Sequence, residues 1–188
     1  ATTRYALPPT PAFMSLPPSL ARHRDLLLSL VHEVPRPILA TVSGAHLYGF
    51  ESPDSDVDLR GAFVDSMDEV LGVGRAERTV SLMSLESGVE LDWVAHDIAK
   101  SLRLISRGSG EVMEQVLSPL VLVTSDWHDE LRELTRGCVT RAARHHYAGF
   151  LHSRRKLLTG DAPTVKALLY AYRAALTGVH ALRTGEVI

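Results

Sequence analysis

The spacing of apolar positions changes several times along the 188 residues, and each change predicts an element. Leu20, Leu27, Leu28, Leu30 and Val31 follow Ser19, a helix-capping residue, and predict a helix to about Glu33 that Pro35 and Pro37 end. Residues 37–42 are a short apolar run, predicted as a buried strand, and residues 57–64 predict a second. Ser66 and Glu69 have capping-box spacing, which predicts a short helix there. Residues 79–86 and 89–94 alternate in polarity around Ser87-Gly88, the pattern of a hairpin. Asp97 is placed to cap a helix to about Ser106, with Lys100 in its first turn. Further helices are predicted at 110–117, from Ser125 to about Thr135, at 140–158 and at 164–182, with a short edge strand near 120–124. Gly160 and Pro163 separate the last two helices. Residues 1–18, with Pro8, Pro9, Pro11, Pro17 and Pro18, predict an extended arm or ordered coil.

This order predicts an α+β fold: a mixed sheet flanked by helices, with a helical C-terminal region. The expected division is an arm and helix at 1–34, a core at 35–124 and a helical region at 125–188.

Composition changes this picture little. Hydrophobic residues make up 45% and charged residues 22%, an ordinary globular balance for one compact domain. The net charge of −2 argues against a uniformly basic polyanion binder. Positive charge is nevertheless uneven: Arg141, Arg144, His145, His146, His152, Arg154, Arg155 and Lys156 cluster late in the chain. On a helix they form either a basic face beside an acidic cleft or a plain solvated face. The single cysteine, Cys138, allows no intrachain disulfide and reads as a packed thiol, which fits a cytoplasmic protein. No run is long and apolar enough to span a membrane, and the N-terminus lacks a secretory apolar stretch. The absent initiator methionine points to processing or a trimmed start. Trp93 and Trp127 are expected in the core.

The candidate chemistry lies in residues 43–65. Ser43-Gly44-Ala45 is a tight turn able to present backbone N–H groups to phosphate. Asp56 and Asp58 are two apart, which on a strand puts them on one face at about 7 Å. Carboxylates that close repel unless a cation lies between them, and hard oxygen ligands favour Mg²⁺ or Mn²⁺. A two-metal site of this kind activates a hydroxyl and stabilises departing pyrophosphate. A third carboxylate is expected from the strand at 89–94, where Glu90 and Asp92 share a face. Arg60 shares the acidic pair's face and is placed to bind phosphate or orient a carboxylate, and His46 follows the turn as a phosphate contact. Lys166, Tyr170 and Arg173 form a helical stripe of cation, aromatic and cation that suits a base and phosphates.

Two metal alternatives are weaker. Asp54, Asp56, Asp58 and Asp65 match a calcium-loop spacing, but Leu59 stands where that loop needs glycine. His145 and His146 diverge by about 100° on a helix, and His152 is two turns away.

Residues 43–50 and 52–61, from Ser43-Gly44-Ala45 through Asp56-Val57-Asp58 to Gly61, resemble nucleotidyltransferases of the DNA polymerase β superfamily. Within it they resemble the RlaP-like branch associated with RNA repair. Residues 92–104 and 166–174 fit the same branch, so the resemblance runs from about residue 38 to near the C-terminus. It implies the minimal nucleotidyltransferase fold, with Asp56 and Asp58 as the metal pair and Asp92 as the third catalytic carboxylate. It also implies a phosphate-gripping turn at Gly44-Ala45 with Ser43 and His46 nearby, and Lys100, Lys166, Tyr170 and Arg173 facing the cleft. The implied reaction uses two Mg²⁺ or Mn²⁺ ions to move a nucleoside monophosphate from an NTP to a hydroxyl, such as an RNA or DNA end. Two departures stand out. The family's serine is Ala45 here, which removes a hydrogen bond worth about 1.5–3 kcal/mol to a phosphate. Relatives also extend beyond this C-terminus. Both keep open a second expectation, a nucleotide- or nucleic-acid-binding module that has lost transferase activity.

Overall fold

The computed structural model describes residues 15–72, 77–86, 88–159 and 163–187. The expectations for the arm at 1–14, for Ser87 and for Gly160 lie outside these residues. Five strands form one sheet in the order β3-β4-β2-β1-β5. They are β1 (Pro37–Val42), β2 (Val57–Phe63), β3 (Thr79–Glu86), β4 (Val89–Asp97) and β5 (Val121–Val123). β2 and β4 pair in parallel, and the other neighbours pair antiparallel. The sheet is therefore mixed, as the α+β expectation required.

One face of the sheet carries α1 (Pro18–Ala21) and α2 (Arg24–Val31). Leu20, Leu27 and Val31 pack there against Val42, Leu59, Leu91 and Trp93. Trp93 lies fully buried across β2, where a Cβ on Gly61 would strike its ring. The single helix expected from Ser19 is instead two. Pro17 precedes the first, Pro18 opens it, and Ser19 lies inside it. The break falls at Arg22-His23, where Arg22 Nε donates to the Ser19 carbonyl and to His23.

The opposite face carries α5 (Ile98–Ser106), α6 (Gly110–Leu117) and α7 (Asp126–Gly137). Ile105, Val112, Val116 and Leu131 pack there on Ile38, Leu39 and Ala62. Asp97 ends β4 and caps α5, accepting from the N–H of Ala99 (2.8 Å) and Lys100 (3.2 Å). Trp127 departs from expectation at 67% exposed. α7 buries His128, Leu131, Arg132 and Thr135, and Trp127 lies about 40° outside the edge of that stripe at Leu131. α3 (Gly44–Tyr48) follows β1, and α4 (Met67–Leu71) follows β2, capped by Ser66 accepting from the Glu69 N–H at 3.3 Å.

The chain ends in a pair of long helices, α8 (Ala143–Leu158) and α9 (Val165–Thr184), the latter capped by Thr164. Tyr147 packs on Gly178, and Arg154 lies over Tyr170, so the two helices run antiparallel. α8 also abuts α6, where a Cβ on Gly110 would meet His146 and Tyr147. Among the described residues no helix is long and apolar enough to cross a membrane.

Candidate active site

β1 delivers the chain to Ser43, whose backbone N–H donates to the Asp58 carbonyl at 2.8 Å. Gly44 then turns with φ +62°, a left-handed conformation that favours glycine. A Cβ at this position would overlap the Asp58 carboxylate. The turn and the acidic strand are thus locked together by a residue with no side chain.

The parallel pairing of β2 and β4 sets Asp58 directly opposite Asp92. Glu90 lies beyond the paired register, exposed at the start of β4. Arg60, two residues after Asp58 and on the same face, lies between the carboxylates. Its Nη2 donates to Asp58 Oδ1 at 2.7 Å and Asp92 Oδ2 at 2.8 Å. Its Nη1 donates to the carbonyls of Leu59 (2.7 Å) and Asp92 (2.8 Å). Burial pushes the Asp58 carboxyl above its ordinary value; Arg60 opposes this, while Asp56 and Asp92 add to it. Asp56 sits just ahead of β2 rather than in it, 38% exposed, with Lys166 Nζ 3.9 Å away.

Asp56, Asp58 and Asp92 offer hard oxygen donors suited to Mg²⁺ or Mn²⁺. Two of those oxygens are shared with Arg60, and among the described residues no three metal-ligating side chains converge as a cluster. The donor chemistry fits a hard cation, and the site already holds one fixed positive charge. The calcium-loop alternative does not fit: residues 57–63 are strand, and Asp65 is bound by Arg78 at 2.7 and 2.9 Å.

A cavity of about 500 Å³ opens beside Asp58. Ser43, Gly44 and Tyr48 form one wall, and α8 and α9 form the other with Phe150, Arg154, Lys166, Tyr170 and Arg173. The candidates fall into distinct places. Lys166 and Tyr170 line the cavity, Tyr170 edge-on to Phe50 at 5.2 Å. Arg173 touches it but is half-buried and committed. It pairs with buried Glu114 and stacks over Tyr48 at 4.1 Å. Glu114 also accepts from the hydroxyls of Tyr48 (2.5 Å) and Tyr147 (3.2 Å). Burial first of all pushes the Tyr48 hydroxyl far above its usual value, and Arg173 opposes it.

Three candidates lie elsewhere. Ala45 is buried against a smaller cleft of about 330 Å³ that it shares with Lys166. His46 lies away from the cavity, buried at the lining of a concavity of about 650 Å³ shared with Glu51, Asp54 and Glu90. Gly44 and Tyr48 are i, i+4 on α3, so His46 between them must project from the other side. Lys100 sits at the far end of β4, bonded to Thr79. Asp97 lies five residue steps beyond Asp92 along β4, about 17 Å, which removes Lys100 from the cleft.

Arg154 was singled out by the sequence only as one of a basic cluster, not as a site residue. It stacks over Phe150 at 4.7 Å and Tyr170 at 5.2 Å. Its Nε is buried with no hydrogen-bond partner among the described residues. The Phe150/Arg154 spacing of four on a helix was the available signal. Glu114 carried no sequence signal at all, because its partners come from three other helices.

Residues 24–188 match the RlaP family, described as the RNA repair pathway DNA polymerase beta family. An uncharacterized protein of Methanocaldococcus jannaschii is 31% identical over 157 residues, covering 80% of this chain. The chain spans 62% of that relative's length. A crystal structure of a nucleotidyltransferase-like protein from Exiguobacterium sibiricum superposes with a TM-score of 0.46 at 10% identity, over 89% of this chain and 59% of that one.

Proposed function

The chain belongs to the RNA repair pathway DNA polymerase beta family, and on that premise we propose that it is a metal-dependent nucleotidyltransferase. It moves a nucleoside monophosphate from an NTP to a hydroxyl acceptor, such as an RNA or DNA end, and releases pyrophosphate. The observation that carries this reading is the pairing of Asp58 with Asp92 beside a cavity whose far wall bears Lys166, Arg154 and aromatic rings.

Asp56, Asp58 and Asp92 would hold Mg²⁺ or Mn²⁺, which supply positive charge at the reacting phosphate and acidify the attacking hydroxyl when bound. Lys166 and Arg154 neutralise the triphosphate from the helical wall. Gly44, lacking a side chain, lets the phosphates approach the backbone beside Asp58. Phe150 and Tyr170 flank the base. Arg60 holds the two strand carboxylates in register and limits their repulsion. Asp92 takes the proton as the acceptor oxygen bonds to the α-phosphorus. The bond from that phosphorus to its bridging oxygen breaks, and pyrophosphate leaves with the electron pair.

A second reading, a nucleotide-binding module without transfer, is favoured by the two carboxylate oxygens that Arg60 takes up and by the missing hydroxyl at Ala45. Titration calorimetry with Mn²⁺-NTP and a label-transfer assay separate the two. Asp56→Ala is expected to weaken metal-dependent NTP binding and abolish transfer. If both are unchanged, the transferase reading is wrong. If wild type binds Mn²⁺-NTP and labels no RNA, DNA or small hydroxyl acceptor, the second reading stands.

A further inference from the structure

The helix that walls the cavity carries more positive charge than the cavity uses. Residues 134–160 contain six Lys/Arg and no Asp/Glu, in a chain of net charge −2. Of the six, Arg136 pairs with Glu133 and Arg154 turns into the cavity. Arg141, Arg144, Arg155 and Lys156 are all exposed, and among the described residues none has a carboxylate at ion-pair distance.

Arg144, Arg155 and Lys156 share one side of α8, and Arg141 lies in the turn just before it. At about 100° per residue, Arg144, Ala148, Arg155 and Lys156 fall within one sector of about 120°. His145 and His152 lie in the same sector, and both are exposed. Tyr147, Phe150 and Arg154 occupy the opposite side, toward α9 and the cavity. Helix stability accounts for only half of the stripe: Arg155 and Lys156 sit in the last turn, where the helix dipole favours cations. Arg144 sits in the first turn, where the helix dipole disfavours a cation, and no acidic residue stands there to offset it.

The chemistry of the stripe selects its occupant. Its only apolar member is Ala148, so it lacks the apolar anchors of a protein interface or a membrane-surface helix. What remains is a row of point charges, with Arg144 and Arg155 about 16 Å apart along the axis. A stacked nucleic-acid strand, at about 3.4 Å per phosphate, lays four or five phosphates along that length.

We propose that the outward side of α8, through Arg141, Arg144, Arg155 and Lys156, is a docking surface for the sugar–phosphate backbone of a single-stranded nucleic acid. The same helix presents Arg154 and Phe150 to the cavity on its other side. The purpose of that placement rests on the nucleotidyltransferase reading; the binding itself does not.

Fluorescence anisotropy of the full chain with a labelled 15-nucleotide oligoribonucleotide, and separately an oligodeoxyribonucleotide, tests this across a range of salt. Each neutralised phosphate on a single strand contributes a log–log salt slope of about −0.7, so four contacts give about −2.8. The variant R155Q/K156Q is expected to halve the slope to about −1.4. The quadruple variant R141Q/R144Q/R155Q/K156Q is expected to bind at least tenfold more weakly, with calorimetric NTP affinity unchanged. Asp58→Asn, with its defect confined to the cleft, is expected to bind the oligonucleotide as wild type does, so loss of transfer alone leaves the surface standing. Absence of oligonucleotide binding at low salt, or unchanged slope and affinity in both stripe variants, overturns the proposal. So does equal or tighter binding of wild type to phosphatidylserine vesicles or a polyglutamate peptide with the same dependence on the four residues.

Discussion

Arg60→Gln removes the guanidinium shared by Asp58 and Asp92 and leaves two carboxylates facing each other across adjacent strands. The wild-type side chain makes four hydrogen bonds between 2.7 and 2.8 Å, two of them to carboxylates. Glutamine carries no charge and reaches fewer of these acceptors. Asp58 and Asp92 are 17% and 26% exposed, so water reaches both. The cost therefore lies between the 0–1 kcal/mol of an exposed pair and the 3–5 kcal/mol of a buried pair robbed of one partner, at about 2–3 kcal/mol. In a domain of this length that lowers Tm by about 4–12 °C. The effect depends on pH in a definite direction. Burial, aided by Asp56 and Asp92, already raises the Asp58 carboxyl, and Arg60 opposes the rise. A carboxyl raised in the folded state stabilises while protonated, below the unfolded value of about 3.9, and that contribution is lost as pH rises through the folded value. Without Arg60 the folded value rises further, so the gap between variant and wild type widens from pH 4 toward pH 7. Thermal melts in EDTA across that range measure it. Repeating them with Mn²⁺ adds a second readout, because a divalent ion restores the missing charge and raises the variant's Tm more than wild type's. A variant that melts within 2 °C of wild type at pH 7 in EDTA, or gains no more from Mn²⁺, refutes the claim that Arg60 offsets the carboxylate repulsion.

Arg154→Ala removes a cavity-facing cation with no ion pair among the described residues, so NTP affinity is expected to fall about 10–100-fold with little change in Tm, as calorimetry and melting would show. Glu114→Gln leaves Arg173 half-buried without its partner and is expected to cost about 3 kcal/mol in urea unfolding; an unchanged midpoint would mean that Arg173 is not held by that carboxylate. Gly44→Ala forces a Cβ onto the Asp58 carboxylate at a left-handed backbone position, and is expected to cost about 1–3 kcal/mol and weaken NTP binding together.

Much of the local architecture was legible in the chain. The alternation of β3 and β4, the short apolar run of β1, and the caps at Ser66 and Asp97 depend on neighbours a few residues away. The exceptions are instructive. Ser19 has capping chemistry, yet Pro18 opens the helix first. Trp127 has the bulk of a core residue, yet it falls outside the buried stripe of α7. The first outcome is local, proline claiming the first helical position; the second turns on which side of α7 meets the sheet, and composition does not encode that.

The sequence by itself determined that a glycine turn precedes an acidic strand, and that a second acidic strand follows. Spacing of this kind comes from covalent connectivity and backbone period. Only the tertiary structure decided which side chains meet. The parallel pairing of β2 with β4 brings Asp58 to Asp92, and their shared face puts Arg60 between them. Packing of α8 and α9 against α6 commits Arg173 to Glu114, 59 residues away, and leaves Arg154 facing the cavity. Both are arginines at helical spacing from an aromatic ring. What separates them is a buried carboxylate supplied by another helix, and a charge pair of that range forms only when the chain has folded.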